Sequence, residues 1–487
     1  MANVQELKPG LGVSQDDDDG PLYVARRKIY PKAVAGFFRQ IKWALLIVTL
    51  TVYYITPFIR WDRGPGAPGQ AVLIDLQHNR FYFFFIEIWP QEFYYITGLL
   101  VLAALALFLM NAVAGRIWCG YLCPQTVWTD LFYLVERWTE GDQRAHAKME
   151  AAGWTAERIA RSGAKHFIWL MIAWWTGGAW ILYFSDAPTL VYQLATLQAP
   201  PIAWICIGVL TATTYVFAGH MREQVCVYMC PWPRIQAALT DEYALNVTYR
   251  VDRGEPRGSV KKSHALIAAG EKAGDCVDCY QCVAVCPTGI DIRDGAQLEC
   301  IQCGLCIDAC DSMMVKLGKP TMLIAYDTQI NIDNRRQQLP EVFRILRPRT
   351  IVYGLAILGV GGLMLGTLAM RKELSVTAIH DRNPVFVKMA DGSIRNAYSL
   401  RMVNKGRDTR RFAVSVEGLP GAVVTLAGLS ETDQGSIIEV GPDQTAEARA
   451  LVTARPGDLP ASTEIGLRVT QVGGATSAIA RDTFKAP

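Results

Sequence analysis

Thirteen cysteines lie between Cys119 and Cys310, and none follows. Eight of them fall in two runs, C-V-D-C-Y-Q-C-V-A-V-C-P from Cys276 and C-I-Q-C-G-L-C-I-D-A-C from Cys300. The spacing C-x2-C-x2-C-x3-C, with a proline after the first run, is that of bacterial two-cluster ferredoxins. Three closely spaced thiolates grip one cubane, and the fourth cysteine of each run crosses to the other. Cys276, Cys279, Cys282 and Cys310 are therefore expected to hold one 4Fe–4S cluster, and Cys286, Cys300, Cys303 and Cys306 a second. Pro287 follows the first run, whereas Asp311 replaces the proline of the second, a change that bears on solvent access rather than on the ligands. Zinc sites usually separate their cysteine pairs by a long gap, and stable disulfides belong to oxidising compartments. Clusters side by side offer no substrate chemistry of their own, so they carry electrons.

Four further cysteines form a repeated motif. W-C-G-Y-L-C-P-Q contains Cys119 and Cys123, and V-C-V-Y-M-C-P-W contains Cys226 and Cys230. Both read C-x3-C-P with a central tyrosine, Tyr121 or Tyr228, and both close a long apolar run. On a helix, residues i and i+4 share a face, and the proline then ends or redirects the helix. Free cysteine packs well as a small hydrophobe, which is the plain reading of one such pair. Duplication favours chemistry, either a soft-metal site or redox-active thiols exchanging electrons with the clusters. His166 and His220 (with Met221 beside it) stand at the same ends as candidate further ligands, although a lone histidine there is more often a polar anchor. Cys206 has no partner in sequence and reads as packing.

These residues need a frame to hold them. Hydrophobic residues make up 51 % of the 487 and charged residues 19 %, with mean hydropathy +0.16; roughly 25 % charged is usual for a soluble domain. That excludes a disordered chain, and a net charge of +3 gives no reason to expect nucleic-acid binding. Five uncharged runs, 43–59, 93–115, 167–184, 201–219 and 351–370, approach the length a bilayer requires. Their number and aromatic ends favour membrane spans over buried core helices. No signal-peptide pattern precedes them. The acidic run 16–19 reads as a solvated tail, followed by Arg26, Arg27, Lys28, Lys32, Arg39 and Lys42. Basic residues also crowd the 2–3 loop and the segment before span 5, while the 3–4 loop has none. The positive-inside bias then places the N-terminus in the cytoplasm and the C-terminus outside. Residues 60–92 would be external, with the aromatic stretch 81–85 as an interfacial anchor.

After residue 372 short alternating runs recur at 374–379, 385–388, 397–403, 412–416, 423–426, 436–440, 446–452 and 465–472. Gly, Pro, Asn and Asp punctuate them, predicting seven or eight antiparallel strands in an immunoglobulin-like sandwich. His380 and Asp381 fall at a strand end and read as turn residues. The predicted fold is thus a multidomain membrane protein: a five-span α-helical bundle, a ferredoxin-like domain and an all-β sandwich. Its parts are a cytoplasmic tail (1–42), a four-span domain with both C-x3-C-P motifs (43–240), a cytoplasmic two-cluster domain (241–349), a fifth span (350–371) and an external interaction domain (372–487).

The two C-x3-C-P motifs, the eight-cysteine loop, the fifth span and the stretch R-N-P-V-F-V…D-G-S-I-R-N-A-Y together resemble the CcoG/FixG/RdxA family over nearly the whole chain. The resemblance implies an accessory protein of cbb3-type cytochrome oxidase assembly, reducing Cu(II) to Cu(I). It also implies oxidase assembly factors and copper chaperones as partners, with an electron donor unspecified. Cys119, Cys123, Cys226 and Cys230 match the family's membrane-face motifs and would handle copper as substrate or bound ion. Two other classes stay open: a quinol-oxidising subunit of NapH or NosR type, with the segment between Phe81 and Trp89 near a quinone, and a non-enzymatic copper-handling scaffold.

Overall fold

The computed structural model describes residues 28–64, 67–406, 408–428, 431–432, 435–442, 444–455 and 460–487. The acidic run 16–19, Arg26 and Arg27 lie outside the described residues. The described residues form two compact units, one drawn from 28–59 and 70–364, the other from 60–69 and 365–487.

The first unit opens with helices α1 (Phe37–Ile55), α2 (Tyr94–Ala114), α3 (Ile117–Tyr121), α4 (Pro124–Glu140) and α5 (Gln143–Ala151). There follow α6 (Ala156–Ile181), α7 (Ala187–Ala195), α8 (Pro201–Thr214) and α9 (Trp232–Leu239). Among the described residues, four stretches are long and apolar enough to cross a membrane: Phe37–Phe58, Tyr94–Ala114, Pro201–Met221 and Pro348–Ala369. The remaining predicted run, 167–184, lies mostly in α6, whose first turns carry Glu157, Arg158, Arg161 and Lys165. α6 is fastened along α1, with Tyr53 Oη donating to the Thr176 carbonyl and Tyr183 Oη to the Tyr53 carbonyl, both at 2.8 Å. Beyond them lies a small antiparallel sheet of β1 (Val72–Asp75), β2 (Arg80–Phe83) and β3 (Ile86–Ile88), which leaves Phe85 exposed.

Residues 28–42 are packed rather than trailing. Lys32 bonds Ala284 and Gln281 through its backbone N–H and its ammonium, both at 2.7 Å. The Asp308 carboxylate accepts the N–H groups of Phe38 and Arg39 at 3.2 and 2.8 Å, capping α1 from another helix. Arg39 and Lys42 are buried against Asp130 at 3.3 and 2.8 Å. Although burial raises the Asp130 carboxyl, these two cations hold it below its usual value. Arg116, Lys165 and Arg347 are buried as well, so several cations behind the orientation argument have structural partners instead of loop positions.

The cysteine-rich loop is framed by β4 (Asn246–Tyr249), antiparallel to β5 (Ile324–Asp327), with helices Gln281–Ala284 and Leu305–Lys316 carrying cysteines between them. The second unit is a pair of five-stranded antiparallel sheets. One contains β6 (Leu374–His380), β7 (Val387–Lys388), β8 (Ile394–Asn404), β10 (Val423–Leu426) and β13 (Gln444–Ala454). The other contains β9 (Arg410–Glu417), β11 (Glu431–Thr432), β12 (Gly435–Val440), β14 (Ser462–Gln471) and β15 (Ser477–Lys485). Their alternating inner residues, including Tyr398, Phe412, Leu467 and Phe484, form one core. The short β11 and the nine-residue β15 are absent from the sequence reading. β15 pairs along β14 and buries only Ala480 and Phe484 deeply, so its pattern is faint. His380 ends β6 and meets Asn396 at 2.7 Å, while Asp381 pairs with Arg449 at 2.6 Å.

Candidate metal centre

The two cysteine runs adopt the same backbone turn. Asp278 and Gln302, at matching positions, have φ of 52° and 54°; Tyr280 and Gly304, again matching, have 54° and 73°. These left-handed residues turn the chain between cysteines so that their sulfurs face inward. At Gly304 the left-handed turn that Tyr280 makes with a side chain is made without one, because an added Cβ would stand 2.7 Å from Phe38 Cγ. Arg293 fixes the first turn, bonding Asp278 at 2.7 Å and Asp291 at 2.6 Å, with its guanidinium 4.2 Å from the Tyr280 ring centre.

The thiols of the two runs adjoin, Cys282 lining one cavity with Cys286, Cys300, Cys303 and Cys306. Cys310 is influenced by Cys282, Cys279 and Cys276, whereas Cys306 is influenced chiefly by Cys303, Cys300 and Cys286. Burial pushes Cys282, Cys300 and Cys310 up to about 12 and raises Cys303 and Cys306 too. A thiol this reluctant to ionise becomes a thiolate when a metal centre supplies the compensating charge. All thirteen cysteines are free thiols. Among the described residues, no three cysteine sulfurs lie within 4.8 Å of one another. A tetrahedral zinc with Zn–S of about 2.3 Å holds its sulfurs roughly 3.8 Å apart, so the donor set suits a cubane rather than a single zinc.

The C-x3-C-P motifs also converge. Cys119 is influenced by Cys123 and Cys230, and Cys226 by Cys123, Cys119 and Cys230. Burial pushes Cys119 and Cys226 up to about 12. Yet the two motifs sit differently. In the first, Gly120 lies so close to the cluster loop that a Cβ would meet the Ile301 carbonyl at 2.7 Å and Cys303 Cα at 3.0 Å. Tyr121 is buried, and its hydroxyl donates to the Cys303 carbonyl at 3.0 Å. Arg116 donates to the carbonyls of Leu298 and Pro233, and its backbone N–H to Gln302 at 2.7 Å. Cys119 Sγ donates to buried Gln236 at 3.4 Å. The second motif forms a π-helical stretch, Val225–Met229, with Tyr228 74 % exposed and Cys230 exposed. Cys226 lines a small cavity with Lys42, Asp130, Arg222 and Glu223, which reaches Thr288 and Ile301 of the cysteine-rich loop.

His166 and His220 come together, but they line another cavity, sharing only Arg222 with that of Cys226. Cys206 packs against the Ile181–Ile207 cluster. Arg116 was read only as a loop cation, and Gly120 and Gln236 escaped the sequence reading, although the glycine in C-G-Y-L-C against valine in C-V-Y-M-C was a visible signal. So did Glu136, Glu140 and His146, whose ligand atoms lie within 4.8 Å of one another. Lys165 bonds Glu140 at 2.9 Å and Arg222 bonds Glu136 at 2.9 Å, making this a buried ion-pair network.

Comparison with known proteins matches residues 221–329 to a 4Fe–4S dicluster domain and residues 96–140 to a 4Fe–4S binding domain. Residues 364–487 match the "IG-like fold at C-terminal of FixG, putative oxidoreductase". Nitrogen fixation protein FixG of Rhizobium meliloti is 52 % identical over 466 residues, covering 90 % of this chain and 88 % of that one. The chain belongs to the FixG/RdxA family. Protein RdxA and Protein RdxB of Cereibacter sphaeroides are 48 % and 47 % identical, each over 93 % of this chain and over 96 % and 94 % of theirs. The FixG/RdxA chain is accordingly a membrane iron–sulfur protein of oxidoreductase type. The 96–140 match holds only Cys119 and Cys123, half the four thiolates a cubane takes.

Proposed function

We propose that this chain reduces Cu(II) to Cu(I) at its C-x3-C-P cysteines, for the assembly of a cbb3-type cytochrome oxidase. The observation that carries the reading is the contact between the first motif and the cluster loop, through Gly120, Tyr121 and Arg116. Cys276, Cys279, Cys282 and Cys310 would hold one 4Fe–4S cluster, and Cys286, Cys300, Cys303 and Cys306 the other. Bound there, the clusters supply electrons one at a time. Cu(II) favours nitrogen and oxygen donors and Cu(I) favours sulfur, so a substrate ion that gains an electron at these thiols is also held by them. Because burial keeps Cys119 and Cys226 protonated, capture of Cu(I) releases protons and tightens as pH rises.

The first pair, tied to the cysteine-rich loop, serves as the inner pair; the second, bearing exposed Cys230, receives copper. Five spans support a cytoplasmic cysteine face and a periplasmic sandwich, since α6 keeps pace with α1 through Tyr53 and Tyr183. Copper chaperones and oxidase assembly factors are the partners this reading calls for. Anaerobically reduced protein mixed with Cu(II) and a Cu(I) chelator should yield trapped Cu(I), and activity that survives Cys226→Ser with Cys230→Ser would place the site elsewhere.

A second reading has its own support: the 4Fe–4S match at 96–140 would be completed by Cys226 and Cys230 as a third cluster. Iron analysis separates them, at about eight irons per chain for copper handling and about twelve for a third cubane.

A further inference from the structure

Away from the cysteines, a second cavity lies between α6, the π-helical end of the fourth predicted span and residues 28–30. Its wall is a set of rings in mutual contact. His166 and His220 stack 5.8 Å apart and 12° from parallel, and Trp169 stands edge-on to both at 5.3 and 6.2 Å. Tyr215 Oη hydrogen-bonds His166 Nδ1 at 2.9 Å, leaving Nε2 to meet a ligand. Tyr215 and His220 are five residues apart, which an α-helix of 3.6 residues per turn would rotate about 140° from each other. The π-helical stretch Tyr215–Met221 instead brings their rings to 5.0 Å, and such stretches concentrate at functional sites. Gly219 admits the close fit, since a Cβ would stand 3.1 Å from the Trp169 ring.

Of the three lysine and arginine side chains that line this cavity, the two buried ones, Lys165 and Arg222, are matched, and Lys28 is exposed at its edge. Lys165 reaches Glu140 at 2.9 Å and Glu136 at 3.8 Å; Arg222 reaches Glu136 at 2.9 Å and the Gly219 carbonyl at 2.7 Å. Burial, with Lys165 and His220 adding to it, lowers the His166 pKa and keeps its imidazole neutral. With both buried cations already held by Glu136 and Glu140 and an aromatic wall between them, the interior of the cavity offers no unpaired charge for a phosphate or a dication. It suits a flat neutral ring with hydrogen-bonding oxygens, delivered from the bilayer at the end of a span.

We propose that this cavity binds the head group of a membrane quinol, the electron donor of the chain. The proposal rests on the reading that the cysteine loop carries iron–sulfur clusters. The quinol gives up two electrons and two protons and leaves as quinone; one electron passes to each 4Fe–4S cluster and the protons pass to water at the rim, where His220 is exposed. Arg222 divides this cavity from the one that reaches Thr288 and Ile301.

The test uses full-length protein with decylubiquinone as the binding probe and an azido-quinone as photolabel. Labelled peptides should come from 165–169 or 215–222, and His166→Ala and His220→Ala should each weaken binding tenfold or more at wild-type iron content. Should either variant lose iron, Tyr215→Phe, which drops only the bond to His166, should weaken binding severalfold. Labelling elsewhere, unchanged binding in the variants, or loss of Cu(II) or of phosphatidylglycerol-vesicle binding in place of quinone binding would overturn the proposal. If dithionite-reduced wild-type protein produced no Cu(I) while quinone still bound, the copper reading alone would fall.

Discussion

The two C-x3-C-P motifs are near-copies in sequence and opposites in placement. The first is pressed onto the cluster loop at Gly120, bonded to it through Tyr121 and bridged by Arg116. The second, with Val227 in place of glycine, keeps Tyr228 and Cys230 at the surface and winds as a π-helix. A single side-chain difference has a plain physical meaning here. A Cβ at position 120 would overlap the loop backbone, so the glycine permits a contact that the valine motif cannot make. The repeated motif thus places one pair of thiols against the cysteine-rich loop and leaves the other beside the surface.

The comparison is most sharply broken by thiol reactivity. Burial pushes Cys119 and Cys226 alike up to about 12, so exposed Cys230 is the thiol that sets the second motif apart. Brief alkylation of the native, copper-free protein at pH 8 should therefore label exposed Cys230 and spare Cys119, as read by peptide mass spectrometry. Equal labelling would remove the inner–outer distinction. Next in size, Cys226→Ser with Cys230→Ser should lower Cu(I) affinity by tenfold or more in chelator competition, and Cys119→Ser with Cys123→Ser should lower it less while slowing reduction more.

Backbone fit comes third. Gly120→Ala should destabilise the first unit by about 2 kcal/mol through overpacking, visible as a lower thermal midpoint and partial loss of iron, whereas Val227→Ala at the matching position should change stability by under about 0.5 kcal/mol. The smallest difference concerns the tyrosines. Tyr121→Phe removes the bond to the Cys303 carbonyl and should cost about 1 kcal/mol; Tyr228→Phe should be silent in the same melt.

Much of this architecture is legible in the sequence because its signals are local. Cysteine spacing marks the loop, uncharged length marks four of the apolar helices, and alternation marks most of the sandwich strands. α6 is harder, since Arg158, Arg161 and Lys165 share its helix with the apolar run. The small residues of β15 carry too faint an alternation to be seen. The segment at 28–36 looks like a tail until Ala284, Gln281 and Asp142 are known to receive it. The site follows the same rule. Both thiol pairs are visible as a repeat, but their difference depends on Ile301 and Cys303, about 180 residues away along the chain.

The central claim, that electrons leave the cluster loop through the inner pair and reach copper on the outer pair, comes down to one single-turnover measurement. Anaerobically reduced protein is mixed with Cu(II) and a Cu(I) chelator, following the recovery of iron–sulfur absorbance on reoxidation and the trapped Cu(I) together. Wild-type protein should form one Cu(I) for each electron lost. Cys119→Ser with Cys123→Ser should slow both signals in step, and Cys226→Ser with Cys230→Ser should abolish Cu(I) formation while leaving the reduced absorbance intact. Cu(I) appearing at the wild-type rate in either double variant would contradict the account.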